Sequence, residues 1–306
     1  MLENRNKPNK TTLPELPEVI RDAVNKDNLV VFIGAGVSAL VGCMRWPVLA
    51  KHLAEECYKR GCIDYSAKEQ LKNDSDHLKV ISVSYELLEA EDHEKYFYRE
   101  LKKALRPSKR NNCIDIYDRL WKFGGAFITT NADRCFHNNF LPENILVEPK
   151  QFESEGIKRR RLYHIHGYIG EKRSLVFRKN EYLERYSGED KAFRAFMTKV
   201  FSNETRILFV GYGLKEFELL SLLINSGGRE QEYNRFALMP YYTRDQHLLK
   251  FDRIYFRNFG IKILEYYLDE KGYDELYEVI KKWSDEIAET TMLAHEDHQL
   301  IDDAVK

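Results

Sequence analysis

Between Leu29 and Met44 the chain carries no charged residue, and it begins there with an unbroken apolar run, Leu29-Val30-Val31-Phe32-Ile33. A short run without alternation has to bury both of its faces, which is the condition of an inner strand in a parallel sheet. A membrane-crossing helix is excluded, because it needs about 20 apolar residues and Gly34, Gly36 and Gly42 interrupt this stretch. The sequence predicts instead a buried strand running into a glycine loop, Gly34-Ala35-Gly36-Val37-Ser38. Such a strand needs neighbours at both sides and helices above and below, and the rest of the chain has to supply them.

It does so in alternation. Strand patterns recur at AFITT (126–130), ILV (145–147), LYHIH (162–166), SLVF (174–177), ILFVG (207–211), FALM (236–239) and IKILEYY (261–267). Helical patterns fall between several of them: Lys191 to Phe201, Phe217 to Ile224, Arg244 to Phe251 and Tyr273 to Ile287. Pro47 suits the first turn of a helix running to about Arg60, where Gly61 can end it. Residues 75–123 hold helical periodicity alone and read as a helical insertion or subdomain, bounded at about 62–123. Together these imply an α/β fold with a mostly parallel sheet and helices on both faces. One domain is expected over 16–289, after a flexible arm at 1–15 and before an acidic tail at 290–306. That tail reads as a frayed helix or an oligomer contact.

Composition narrows the function. The 48 Lys and Arg against 49 Asp and Glu give a net charge of −1, which removes the basic excess of a dedicated nucleic-acid binder. Five cysteines, Cys43, Cys57, Cys62, Cys113 and Cys135, form no CxxC pair, so neither a disulfide framework nor a metal site is expected. A reducing cytoplasm is the simplest reading, consistent with a polar, Pro-interrupted N-terminal stretch that lacks the apolar core of a signal peptide.

In open parallel sheets ligands sit beyond the carboxyl ends of the strands, and four motifs stand there. Gly34-Ala35-Gly36-Val37-Ser38 can bring backbone N–H groups close to a phosphate, or serve only packing. Thr129-Thr130-Asn131-Ala132-Asp133 can present an amide and a carboxylate to one ligand, or cap the next helix. His164 and His166 alternate onto one strand face. They lack the pattern of a third metal ligand, and His166, ahead of Gly167, suits acid–base work. Gly211-Tyr212-Gly213 makes a second strand-end turn. Arg45 and Trp46 can close over a ligand, with Trp46 equally able to act as a hydrophobic staple before Pro47.

The order GAGVS, TTNAD, HIHG, VGYG resembles the sirtuin-like NAD-binding family, and most closely its bacterial branch of NAD-hydrolysing anti-phage effectors. The resemblance covers roughly residues 28–267. It implies a Rossmann-like sheet with NAD across the strand ends. Gly34, Ala35, Gly36 and Ser38 would hold the diphosphate region. Asn131 and Asp133, the family's Asn-x-Asp, with Thr130 beside them, would face the nicotinamide ribose. His166 would be the catalytic histidine, Gly211, Tyr212 and Gly213 would lie near the adenosine, and Glu265 near the adenine. The chain departs from the family in three places. No cysteine follows Cys135, so the zinc ribbon of the deacylases is absent. Gly42-Cys43-Met44 replaces the usual Gly-Ile-Pro, and Ala132 stands where relatives carry a bulkier residue.

The resemblance implies NAD+ as substrate, cleaved to nicotinamide and ADP-ribose without a metal. Asn131 would orient the ribose or water, His166 would act as base, and Asp133 would offset charge. Protein deacylation or ADP-ribosylation, or a non-catalytic NAD-binding subunit, are the alternatives. An NAD hydrolase must be gated, and a chain of 306 residues leaves no room for a sensor domain. Homo-oligomerisation, or a separately encoded HerA-type ATPase rather than an Argonaute-like partner, is therefore expected. No membrane or direct nucleic-acid contact is expected.

Overall fold

The computed structural model describes residues 12–108, 113, 115–187, 190–214, 217–225 and 233–304; the expected N-terminal arm lies outside the described residues as far as residue 11. Seven parallel strands form one sheet: β1 (Leu29–Ile33), β2 (Ala126–Thr129), β3 (Ile145–Leu146), β4 (Leu162–His164), β5 (Arg206–Val210), β6 (Arg235–Tyr241) and β7 (Ile261–Tyr267). Their order is β3-β4-β2-β1-β5-β6-β7. β1 lies in the middle with all five residues buried, as its apolar run demands. After β1 the chain builds outward through β2, β4 and β3, then returns to the other side of β1 with β5. The reversal between β1 and β5 is the topological switch point where open α/β sheets take their ligands. This is a Rossmann-like α/β fold.

The alternation of β1 splits the core between the two faces. Leu29, Val31 and Ile33 pack with Ile20 of α1 (Glu18–Asn25) and Val37 and Leu40 of α2 (Ala35–Leu40). On the same face stand Leu120 of α7 (Ile116–Trp121) and Trp283 of α13 (Glu275–Ala304). Val30 and Phe32 pack with Phe152 of α8 (Pro149–Glu155), Phe196 of α10 (Lys191–Val200), Leu223 of α11 (Phe217–Asn225) and Phe256 of α12 (Gln246–Arg257). A third cluster is the helical insertion. It joins α3 (Trp46–Lys59), α5 (His77–Ala90) and α6 (Glu94–Ala104) through Leu53, Ile81, Leu88, Phe97 and Leu101, with α4 (Tyr65–Asn73) beside α3. α9 (Lys179–Tyr186) follows the long connection after β4.

Three expectations change. SLVF (174–177) is not a strand: a 3-10 turn at Lys172–Ser174 precedes it, and Leu175 and Phe177 pack into the helical insertion rather than beside a strand. The glycine loop after β1 is instead the start of α2, because Val37 and Leu40 find core on one helical face. The last helix does not stop near Ile287 but runs to Ala304, across the boundary expected at 290.

At the amino end of β6 the buried Arg235 ties three elements together. Its guanidinium donates to Phe201 O at 2.8 Å, Phe259 O at 2.8 Å and Leu223 O at 3.4 Å. These carbonyls lie at or near the carboxyl ends of α10, α11 and α12, where the helix dipole favours a cation. Burial lowers the Arg235 pKa to about 10, so it stays charged at neutrality. Arg235→Met would leave these carbonyls without their donor and should destabilise the fold by about 2–4 kcal/mol, read as a lower urea midpoint; an unchanged midpoint would show that the tie is not needed.

Candidate functional site

A cavity of about 480 Å³ opens beyond the carboxyl ends of β1, β2 and β5, a volume within the range of small-molecule sites. One wall is polar: Ser38, Thr130, Asn131 and Asp133. The opposite wall is apolar and aromatic, with Leu238, Pro240, Tyr266, Tyr273 and Leu276. Trp46 and Phe177, stacked at 5.1 Å between ring centroids, stand on the side of the helical insertion. Arg45 also reaches the wall and lies 4.3 Å over the Tyr273 ring.

The glycines first serve packing. A Cβ on Gly34 would sit 2.5 Å from Gly211 O, and one on Gly36 would sit 2.8 Å from Gly211 Cα. The β1 and β5 turns are thus pressed together across the switch point. Gly211 itself has φ +61°, a left-handed value that favours glycine. The N–H groups of Gly34, Gly36 and Val37 donate to Val210 O, Gly211 O and Gly34 O. The diphosphate cradle implied by GAGVS therefore has three fewer amides than its sequence offers, and Arg45 is the cation on this wall among the described residues.

Ser38 organises the polar side. Its hydroxyl donates to Asp133 Oδ2 at 2.5 Å and accepts from Asn131 Nδ2 at 2.8 Å. With its one proton spent on the carboxylate, it must accept from the Tyr117 hydroxyl 3.1 Å away. Burial, then the nearby Asp133 charge, raises the Tyr117 pKa well above normal, which keeps it a donor. Asn131 Nδ2 also donates to Gly34 O at 3.0 Å. A carbonyl only accepts, so this bond fixes the amide orientation and leaves Oδ1 as the acceptor for the cavity. The backbone is held as tightly: Asn131 N–H donates to Thr129 Oγ1, which donates to Ile33 O, each at 3.0 Å. Asp133 Oδ1 accepts the Cys135 N–H at 2.9 Å.

The two histidines of HIHG do different things. His164 Nδ1 lies 3.0 Å from Asn131 O and must donate to it. The neutral ring then accepts at Nε2 from His137 Nε2, 2.9 Å away. His164 is thus a positioning residue for Asn131. His166 is buried, with Nε2 2.7 Å from the Tyr186 hydroxyl and its ring 4.7 Å from that of Tyr182. Tyr182 lines the cavity and His166 does not.

Of the residues singled out by sequence, Ala35, Gly36, Ser38, Arg45, Trp46, Thr130, Asn131, Asp133, Gly211, Tyr212 and Gly213 meet on this one wall. Gly34 lies behind it, and Glu265 is taken by Arg253 at 2.7 Å. Sequence reasoning missed Tyr117, His137, Cys43, Phe177 and Tyr182. Only Cys43, inside the uncharged 29–44 stretch, had a motif nearby to point to it.

Burial lowers the pKa of His137 to about 4 and those of His164 and His166 to about 3. Their folded values lie below the unfolded value near 6.5, so the unfolded chain binds more protons between about pH 6.5 and 3. Stability is then full above pH 6.5 and falls as pH drops through this window. The urea midpoint should fall from pH 7 to pH 5, and His166→Gln should flatten that fall by roughly 1.4 kcal/mol per pH unit in the window. A midpoint equal at pH 7 and pH 5 would contradict the neutral buried rings.

Residues 125–264 match the model of the SIR2-like domain family. They span β2 to β7 and include TTNAD, HIHG and the β5 turn, while GAGVS precedes them. Defense-associated sirtuin 2 of Bacillus subtilis is 26% identical over 273 residues, 84% of this chain and 25% of that protein. The chain thus spans about a quarter of the length of that relative. Among the described residues no helix is long and apolar enough to cross a membrane. The strand-end motifs, the Rossmann-like sheet and both matches agree, and the chain is sirtuin-like, with a SIR2-like domain over residues 125–264.

Proposed function

We propose that the chain is an NAD+ glycohydrolase, an NAD-depleting effector of anti-phage defence that cleaves the bond between nicotinamide and ribose. The observation that carries the reading is Asn131, held from four directions at the switch point with its Oδ1 directed to a cavity of nucleotide-handling shape. Cleavage develops oxocarbenium character at the ribose and releases neutral nicotinamide. Asn131 Oδ1 accepts from a ribose hydroxyl or from the attacking water. The Asp133 carboxylate offsets the developing positive charge while Ser38 and the Cys135 N–H hold it in place. Arg45 meets the diphosphate, and the aromatic wall takes the base. His166 has a share only when Tyr182 turns aside, since its neutral ring stands behind that residue.

A second reading has its own observation. The burial of His166 favours an NAD-binding subunit that retains the dinucleotide without turnover. Chromatography of the purified chain with NAD+ separates the two. Hydrolysis gives free nicotinamide and ADP-ribose, whereas retention gives bound, intact NAD+. Asn131→Ala should lower nicotinamide release by about 100-fold or more, on the scale of a lost transition-state interaction, with an unchanged thermal midpoint. Wild-type turnover in that variant would sink the assignment. Labelled ADP-ribose on protein would move it to the transferases.

Such an activity has to be gated in its own cell, and the proposal includes a homo-oligomer or a separately encoded HerA-type ATPase as the gate. Mass measurement joined to NAD consumption, with and without the partner, tests it.

A further inference from the structure

Cys43 and Cys135 are 92 residues apart in sequence, yet their sulfurs lie 3.7 Å apart. A carboxylate oxygen of Asp133 completes the group, all three ligand atoms lying within 4.8 Å of one another. We propose that Cys43, Cys135 and Asp133 form a binding site for a thiophilic divalent cation of the zinc class, with its fourth position towards the cavity.

The spacing favours a metal over a disulfide. Two sulfurs bound tetrahedrally at about 2.3 Å from one cation stand about 3.8 Å apart, which is the separation found. A disulfide requires about 2.05 Å, so the sulfurs would have to close by roughly 1.7 Å. Asp133 is already supported as metal-bound carboxylates are, by hydrogen bonds from outside the site: Ser38 donates to Oδ2 and the Cys135 N–H to Oδ1. Cys43 and Asp133 both stand on the cavity wall, which gives the cation an open side for water or a ligand. The absence of a CxxC pair in the sequence is no obstacle, because β1 and β2 lie side by side and bring the two post-strand segments together.

The chemistry balances without an oxidant. The cation takes two thiolates, and the two thiol protons leave to solvent. The Cys43 hydrogen bond, then burial, raises the Cys135 pKa strongly. In the metal-free chain that thiol is neutral, and cation affinity rises with pH. The site is independent of any reaction of NAD+, since its ligands and its readout need no dinucleotide.

Co2+ is the probe. Titrated into the full chain under a thiol-free reductant, it should give one equivalent of tetrahedral cobalt with a sulfur-to-cobalt charge-transfer band, which Zn2+ then removes. Cys43→Ser and Cys135→Ser should each abolish the band, and Asp133→Asn should weaken Co2+ binding about tenfold or more. Cys62→Ser should leave it intact. Alkylation mapping of the unaltered chain avoids any folding defect of the variants: Zn2+ should protect Cys43 and Cys135 and leave Cys62 reactive. No charge-transfer band, a band that survives both serine variants, or no protection by Zn2+ would overturn the proposal.

Discussion

One hydroxyl holds the site together. Ser38 stands in α2 after β1, Asn131 and Asp133 stand after β2, and Tyr117 comes from α7, and the Ser38 oxygen is where they meet. Its single proton goes to the carboxylate, so its two lone pairs must accept from the amide and the phenol. This arithmetic leaves no capacity on Ser38 for a phosphate. It also makes the three donors and acceptors interdependent: loss of the hydroxyl would leave a buried phenol and a buried carboxylate each short of a partner, a costly state in a low-dielectric interior.

That hydroxyl can do this only because the backbone below it is fixed. The glycines of the β1 and β5 turns bring the chain into contact across the switch point, and Thr129 ties the end of β2 to the last carbonyl of β1. The helical insertion contributes through Trp46 and Phe177, which enclose the cavity from the side that the sheet leaves open. A parallel sheet provides the platform, while loops from four strands and one insertion decide what chemistry it presents.

Much of this was legible in the sequence. A charge-free apolar run implied an inner strand, and polar residues after strands implied a site, because both follow from local pattern and from the rule that ligands sit at carboxyl ends. What was not legible depends on neighbours. SLVF has the composition of a strand, but no pattern tells a chain that its flank will be a helical layer. His166 has the position of a base, and only the placement of Tyr182 and Tyr186 shows that its ring is covered. The sulfurs of Cys43 and Cys135 are neighbours solely because β1 pairs with β2. The amides of Gly34 and Gly36 looked free for a phosphate until β5 was seen to take them.

Arg235 stands at the first residue of β6, and Pro240 of the same strand lines the cavity. Five residues of extended chain separate them by about 17 Å. Sites that far apart without shared partners respond to change independently. The sheet thus works as a spacer: its amino edge is a fastening and its carboxyl edge a workbench. Sequence drift at the fastening can trade stability up or down while the workbench keeps its geometry.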